Sequence, residues 1–531
     1  KTDIQAPGAS ETVNITVDKS ELRTYDANNA KTYLVDAGDY YFTAATDAHN
    51  AVNNILAAKG YTVENTDGRM TADGDVALTY KWTNAALDST TYATSETGTA
   101  ITNLFDEADP NKSSSEPGEV TWLSRSNWVA TFPTQPVVLN ATQTLADHLA
   151  FTRYDGSKAD SVEMPTLGAD NGLALVSMIG ADYDDPQWDT LLDQLTFNEM
   201  VNTITLGFHN TAAIETIGKT RTKDENGPQG LTAALTGGAS AMCYTSEDVM
   251  AATFNVDLIN DVGRCIGEDC LAMGYSGLYG PGINMHRTAY SGRNFEYYAS
   301  DPFVAGTICA AEVNGIQSKG VYVYLKHVAL NDSESSRRGV NTWLNEQAAR
   351  EIYLEVADKA ITDGGAWSVM TGFNRWGATW CGAYDNLLPG LLRGELGMRG
   401  MIITDYSGSS KYMDLADGLI AGSDIWDSPD PTIHTTLAPK YENDAYIVTE
   451  MRESMHKILY TVANSNAMNG WSSADRLKVI TPWWKTALYA LDTVLAVLTV
   501  LCIWRLVVAI KRKKTWTAEQ AANTASSQNQ Q

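Results

Sequence analysis

The run MIITDYSG, Met401 to Gly408, climbs through apolar and small residues to Asp405. A parallel strand covered on both faces reads as a near-continuous apolar run. A carboxylate at its end needs a reason, because burying a charge without a partner is costly. Two reasons stay open. Asp opens loops and caps helices. It also does chemistry, since reactive groups in α/β barrels sit at the C-terminal ends of strands. Three other apolar runs end on polar groups. LYGPGINMHR leads to Arg287, after which GRNFE presents Arg293 and Glu296. VYVYLKHVALND puts Lys326 and His327 at a strand end, and VMTGFNR delivers Phe373 and Asn374. One Lys-His pair is more often structural than functional; four such strand ends together favour a site. A ring of Arg, Lys and His around one Asp can donate to several hydroxyls while offering a single carboxylate, which is the chemistry of a sugar pocket.

The elements that must hold this ring follow from the pattern. Strand candidates are SGLYGPGIN (276–284), GVYVYLKHVAL (320–330), AWSVMTGFN (366–374), GMIITDY (400–406) and DGLIAGSDIWD (417–427). An amphipathic helix, NEQAAREIYLEVADKAIT (345–362), lies between two of them. Another helix follows YDDPQWD, capped near Thr196. Strand–helix alternation from about 186 to 475 implies a parallel sheet. A TIM-like (β/α)8 barrel accommodates this length as one domain, with an open doubly wound sheet as the alternative. No GxGxxG follows a strand, which disfavours a dinucleotide fold. Residues 1–75 read as a small β-sandwich, from alternation in VNITVD (13–18) and β-formers in YYFTAAT (40–46). Residues 76–185 are irregular, with aromatic islands such as NWVATFP (127–133), and read as a connecting region that wraps the barrel.

Composition narrows the class. The 531 residues are 44% hydrophobic and 19% charged, as in a globular protein. A net charge of -26 argues against nucleic acid, whose phosphates need clustered Lys and Arg. The six cysteines show no CxxC and no zinc-like His spacing, and read mostly as buried thiols. No metal and no cofactor is assigned.

Residues Ala487 to Ile510 are 24 mostly apolar residues, enough to cross about 30 Å of hydrocarbon. Trp483 and Trp484 precede them as an aromatic belt would, and KRKK (511–514) follows. The expectation is a single-pass membrane helix over 483–514, with the catalytic domain outside, the C-terminus in the cytoplasm, and a disordered tail over 515–531. A buried amphipathic helix is the alternative.

GPGINMHRTAYSGRNFEYYASDP, YLKHVALNDSESSRRGVN, VMTGFNR and MIITDYSG, in this order, resemble glycoside hydrolase family 3, in its β-glucosidase-like branch. The resemblance covers about 186 to 470. More weakly, residues 1–75 look like the fibronectin-type-III domain of that family, and NLFDEADPNKS and MHKILYTVANSNAMNG resemble members with permuted domain order. In those members an α/β sandwich domain comes first; the chain opens at Lys1 without a signal peptide, so an upstream segment is expected. The resemblance implies that Asp405 is the nucleophile, and that Arg293, Lys326 and His327 bind hydroxyls of the sugar next to the cleaved bond. Glu296 and Asp301 share the motif and either join them or hold its loop. Phe373 stands where many members have Tyr. In KDENGPQGL (223–231), Asn226 occupies the place of an Asp that grips outer hydroxyls, with Asp224 or Glu225 as substitutes after a loop shift. Tyr406 replaces a Trp that often follows the nucleophile.

A retaining glycosidase needs two carboxyl groups about 5 Å apart, one nucleophile and one acid/base. Lys326 and Arg293 are expected to keep Asp405 ionised by charge attraction. The acid, typically a Glu of the sandwich domain in this family, has no match in the chain, so the upstream segment is expected to supply it. The function expected is a membrane-anchored, exo-acting β-glycosidase on small glycosides. The alternative is a non-catalytic sugar-binding or structural protein with a relic barrel.

Overall fold

A computed structural model describes the chain except residues 1–3, 114–118, 125–127, 132–133, 136–139, 150–153, 408–410, 477–479 and 529–531. Part of the island at 127–133, and Gly408 of the Asp405 run, lie outside the described residues. The chain divides into two units, 1–475 and 476–531.

In the first unit, five parallel strands form one sheet: β1 (Asp224–Asn226), β2 (Gly277–Tyr279), β3 (Tyr322–Val328), β4 (Ser368–Thr371) and β5 (Ile402–Thr404). The spatial order β5-β4-β3-β2-β1 follows the chain order, as right-handed crossovers through helices produce. The two edges do not stay bare. Beyond β5, Ile403 pairs with Ile425 in parallel, and the Trp426 N–H donates to the Ile204 carbonyl at 2.8 Å. On the β1 side the Asp224 N–H donates to the His209 carbonyl at 3.0 Å. The segment around 204–209 therefore joins both edges. Gly207 permits this closeness: a Cβ there would lie 2.3 Å from the Ile425 side chain.

Alternation along the strands sorts side chains into two cores. Leu278, Val323, Leu325, Val369 and Ile402 pack with the helices Val256–Met273, Pro302–Gln317 and Glu355–Thr362. Tyr279, Tyr322, Tyr324, Met370 and Ile403 face the other way, with the helices Phe197–Thr205 and Ala445–Ala463. Thr196 caps the first of these in a capping box with Glu199, as TxxE predicts. The expected helix over 345–362 forms, with a π turn at Ala349–Tyr353.

Three expectations are corrected. The expected strand over 417–427 is instead a helix, Leu415–Ile420, followed by Ile425 bridging as a single residue. Asp414 accepts from the Ala416 and Asp417 N–H groups, and this cap starts a helix where apolar content alone suggests a strand. Over 10–75, two packed sheets are not found. The described residues form separate antiparallel pairs, Thr24–Asp26 with Thr32–Leu34 and Gly38–Thr43 with Thr79–Asn84. AHNAVNNILAA between them is helical because Asp47 caps it and it lacks a β-branched run. All six cysteines are free, but only Cys270, Cys309 and Cys381 are buried.

The N-terminal segments lie against the sheet unit through buried polar contacts. Arg350 pairs with Glu346 at 2.7 Å and Glu395 at 2.7 Å, and donates to the Thr102 carbonyl at 2.9 Å. Glu346 accepts the N–H groups of Leu104 and Phe105. The Phe105 ring stacks on Trp376 at 4.0 Å.

Among the described residues, the second unit holds one helix, Trp483–Gln528, long and apolar enough to cross a membrane. It continues through 515–528, where no structure was expected. TAEQAANTASSQ holds four Ala and two Gln, and such residues propagate a helix once it has started.

Candidate active site

Asp405 follows β5 directly. Its N–H donates to the Thr371 carbonyl at 3.2 Å, and its Oδ1 accepts the Tyr406 N–H at 2.7 Å. These bonds aim the second oxygen, Oδ2, away from the strand. Oδ2 has no hydrogen-bond donor among the described residues. It faces His327 Nε2 at 3.5 Å and Arg337 Nη1 at 3.7 Å. A buried oxygen beside a guanidinium and an imidazole but bonded to neither suits a group that must engage something brought in.

β3 brings Lys326 and His327 to the same mouth. Asn284 holds the turn, accepting the His327 N–H at 2.9 Å and donating to its carbonyl at 3.1 Å. The loop after β2 brings Arg293, whose Nη1 lies 3.2 Å from His327 Nε2 and whose Nε donates to Glu296. Glu296 also meets Lys326 Nζ at 3.6 Å. Glu296 thus serves its loop by pairing with both cations, and Asp301 caps the helix Pro302–Gln317 by accepting the Val304 N–H at 2.8 Å.

The electrostatics follow from crowding. Burial, then Arg293 and Lys326, hold His327 well below its ordinary range, so it is a neutral imidazole. Burial alone would raise Glu296; Lys326 and Arg293 outweigh it and keep Glu296 ionised. Burial lowers Lys326, with Glu296 opposing. For Asp405 the expectation of net attraction is corrected. Burial is the largest effect and pushes the carboxyl up, while Arg337 first, then Arg293 and Lys326, pull it down.

Two participants escape a motif reading of strand ends. Arg337 stacks over the Phe373 ring at 4.7 Å while reaching Asp405, and Glu334 pairs with Arg337 at 3.1 Å and Arg293 at 3.6 Å. The signal was the mixed-charge loop NDSESSRR just after β3. Phe373 is fully buried and supplies an aromatic floor to Arg337 rather than a polar contact. Tyr406 lies at the rim, its ring edge-on to Phe208 at 6.1 Å.

Asn226 ends β1. Its N–H donates to Glu225 Oε1 at 3.0 Å and its carbonyl accepts the Thr232 N–H at 2.9 Å. No hydrogen bond joins it to the Arg293–His327–Asp405 group among the described residues. Its acidic neighbours are engaged elsewhere. Asp224 accepts from the Tyr322 hydroxyl at 2.6 Å and the Tyr324 hydroxyl at 3.0 Å, and burial pushes it up to about 6. Glu225 pairs with His209 Nδ1 at 3.0 Å. Either substitution for Asn226 would break these bonds.

Residues 209–433 match the family model for the glycosyl hydrolase family 3 N terminal domain. The chain is 34% identical over 251 residues to a β-glucosidase B of Emericella nidulans, covering 47% of this chain and 29% of that protein. It is 33% identical over 240 residues to a β-glucosidase of Rhizobium radiobacter, covering 45% and 29%. The matched stretch therefore spans under a third of these relatives' length. A solved β-glucosidase from Paenibacillus barengoltzii shares the fold over 86% of this chain and 48% of its own, with a TM-score of 0.60 at 19% identity.

Proposed function

From the match of residues 209–433 to the glycosyl hydrolase family 3 N terminal domain, we propose that this chain is a retaining, exo-acting β-glycosidase of the β-glucosidase type. The observation that carries the proposal is the unbonded Asp405 Oδ2 facing His327 and Arg337 at a strand end. In this reading the sheet, with 204–209 and Ile425–Trp426, forms a TIM-like barrel whose mouth takes the non-reducing sugar. Arg293, Lys326 and His327 bind its hydroxyls, and Tyr406 lines the exit toward the leaving group. Asp405 attacks the anomeric carbon, the glycosidic bond breaks, and water later cleaves the glycosyl-enzyme. Asn226 offers a neutral amide where an acid would grip outer hydroxyls, which bears on sugar preference.

A 2-deoxy-2-fluoro β-glucoside with a dinitrophenyl leaving group tests this. The full chain should gain one fluoroglycosyl group on the peptide containing Met401 to Gly408. An adduct on another carboxylate, or none with intact folded protein, leaves the binding-only reading standing.

The same proposal makes the helix Trp483–Gln528 a membrane anchor, with the barrel outside the cell and KRKK inside. On intact cells, added protease should reach the barrel and spare an epitope placed after Thr515. Cleavage of the epitope alone would reverse the orientation.

A further inference from the structure

A second carboxyl group stands beside Asp405. Ile403 pairs in parallel with Ile425, and past this single bridge the two segments run on side by side, bringing Asp427 next to Asp405. Two bonds keep them together. The Asp427 N–H donates to Thr404 Oγ1 at 3.1 Å, and the Ser407 N–H donates to the Asp427 carbonyl at 3.0 Å. Asp427 is almost fully buried. Its Oδ1 accepts from the Tyr279 hydroxyl at 3.4 Å, and that hydroxyl accepts the His209 N–H at 3.1 Å.

The two flanks of Asp405 differ in kind. On one side stand Arg293, Lys326, His327 and Arg337. On the other stand Asp427, Tyr279 and His209, whose ring is paired with Glu225. A sugar seated on Asp405 must span both flanks; on the second, Glu225 is already paired with the His209 ring, and Asp427 is the carboxyl group next to Asp405.

We infer that Asp427 is a further sugar-binding residue, a carboxyl group that holds a hydroxyl beside the carbon attacked by Asp405. This rests on the glycosidase reading above. Asp427 is not the acid of the reaction. A retaining pair must flank the scissile bond, and the segment of Asp427 is hydrogen-bonded directly to that of Asp405, on its own side of the site. Burial first, offset by His209 and reinforced by Asp405, pushes Asp427 up to about 7. A proton held on Asp427 leaves its neighbour Asp405 free to attack.

The sign of the pH dependence follows. Asp427 is neutral below about 7 and donates to a hydroxyl. As pH rises through that value the donor is lost and a second negative charge appears beside Asp405. The test is the rate of adduct formation with the 2-fluoro dinitrophenyl probe from pH 5 to 9, followed by intact mass. Wild type should lose affinity for the probe above pH 7. Asp427→Asn keeps a neutral donor, so its affinity should stay flat across that range. Asp427→Ala should bind the probe about tenfold more weakly at pH 6, the worth of one hydrogen bond. A pH profile for Asp427→Asn that matches wild type overturns the inference. So does a defect in Asp427→Asn that appears only with poor leaving groups, which would mark an acid. Should Asp427→Ala fail to fold, the isosteric Asn variant decides alone. No adduct on wild type would sink the glycosidase reading itself, and this inference with it, whereas an adduct on wild type with unaltered variants sinks only this inference.

Discussion

Asp405→Gly should lower hydrolysis of a dinitrophenyl β-glucoside by roughly 10⁴-fold or more, the scale on which losing a covalent catalyst is felt. The substitution removes a carboxylate whose Oδ2 has no internal donor, and the Tyr406 N–H is the one hydrogen-bond donor among the described residues that its Oδ1 leaves behind. What remains is a small cavity between His327 and Arg337, both within 4 Å of the missing oxygen. Azide fits such a space and carries the charge those groups accommodate. Added azide should therefore restore part of the rate. It attacks the anomeric carbon on the side Asp405 used, dinitrophenolate departs, and the product is the α-glycosyl azide. Rescue by azide with a β-configured product, or near-normal hydrolysis without azide, would remove Asp405 from the nucleophile's role.

The second large effect concerns the leaving group. The carboxylates near Asp405 are mostly tied to cations: Glu296 to Arg293 and Lys326, and Glu334 to Arg293 and Arg337. Against its burial, Lys326 and Arg293 hold Glu296 below its ordinary range, where it makes a poor acid. If the acid comes from a segment outside residues 1–531, these residues alone should cleave alkyl glycosides poorly. The deficit should be about 10²–10⁴-fold, the usual worth of general acid–base help. Dinitrophenyl glycosides, whose leaving group needs no proton, should suffer far less. A plot of log kcat/KM against leaving-group pKa should be steep for this chain. A flat plot places the acid within the chain and overturns the domain reading.

The sequence carried the strand ends well because each joins an apolar run to a residue that a buried strand would not otherwise hold. Lys326, His327 and Asp405 were legible for that reason, and the structure brings them together with Arg293. Phe373 was legible as a strand-end residue but not as a platform, since ring stacking with Arg337 depends on a loop 36 residues upstream. Arg337 itself hid in a polar run that looks like solvent-exposed loop. Asp427 sits in DGLIAGSDIWD, where apolar content masked a helix end and a one-residue bridge. The N-terminal third was least legible. Short strands there close on distant partners, and alternation in six residues says little about which sheet they join.

The Arg350 cluster has a consequence for how this molecule can be taken apart. Glu346 is fully buried and shares its oxygens between Arg350 and the amides of Leu104 and Phe105. Those amides lie about a hundred residues before the matched family segment begins at 209. A chain trimmed to that segment would expose one face of a three-charge knot that water does not reach now, and would strip the Phe105 ring from Trp376. The matched family segment is thus smaller than the unit of folding. Sequence likeness and cooperativity draw their borders in different places here, and exchange of the five-stranded sheet between relatives would have to carry the 102–105 strap with it.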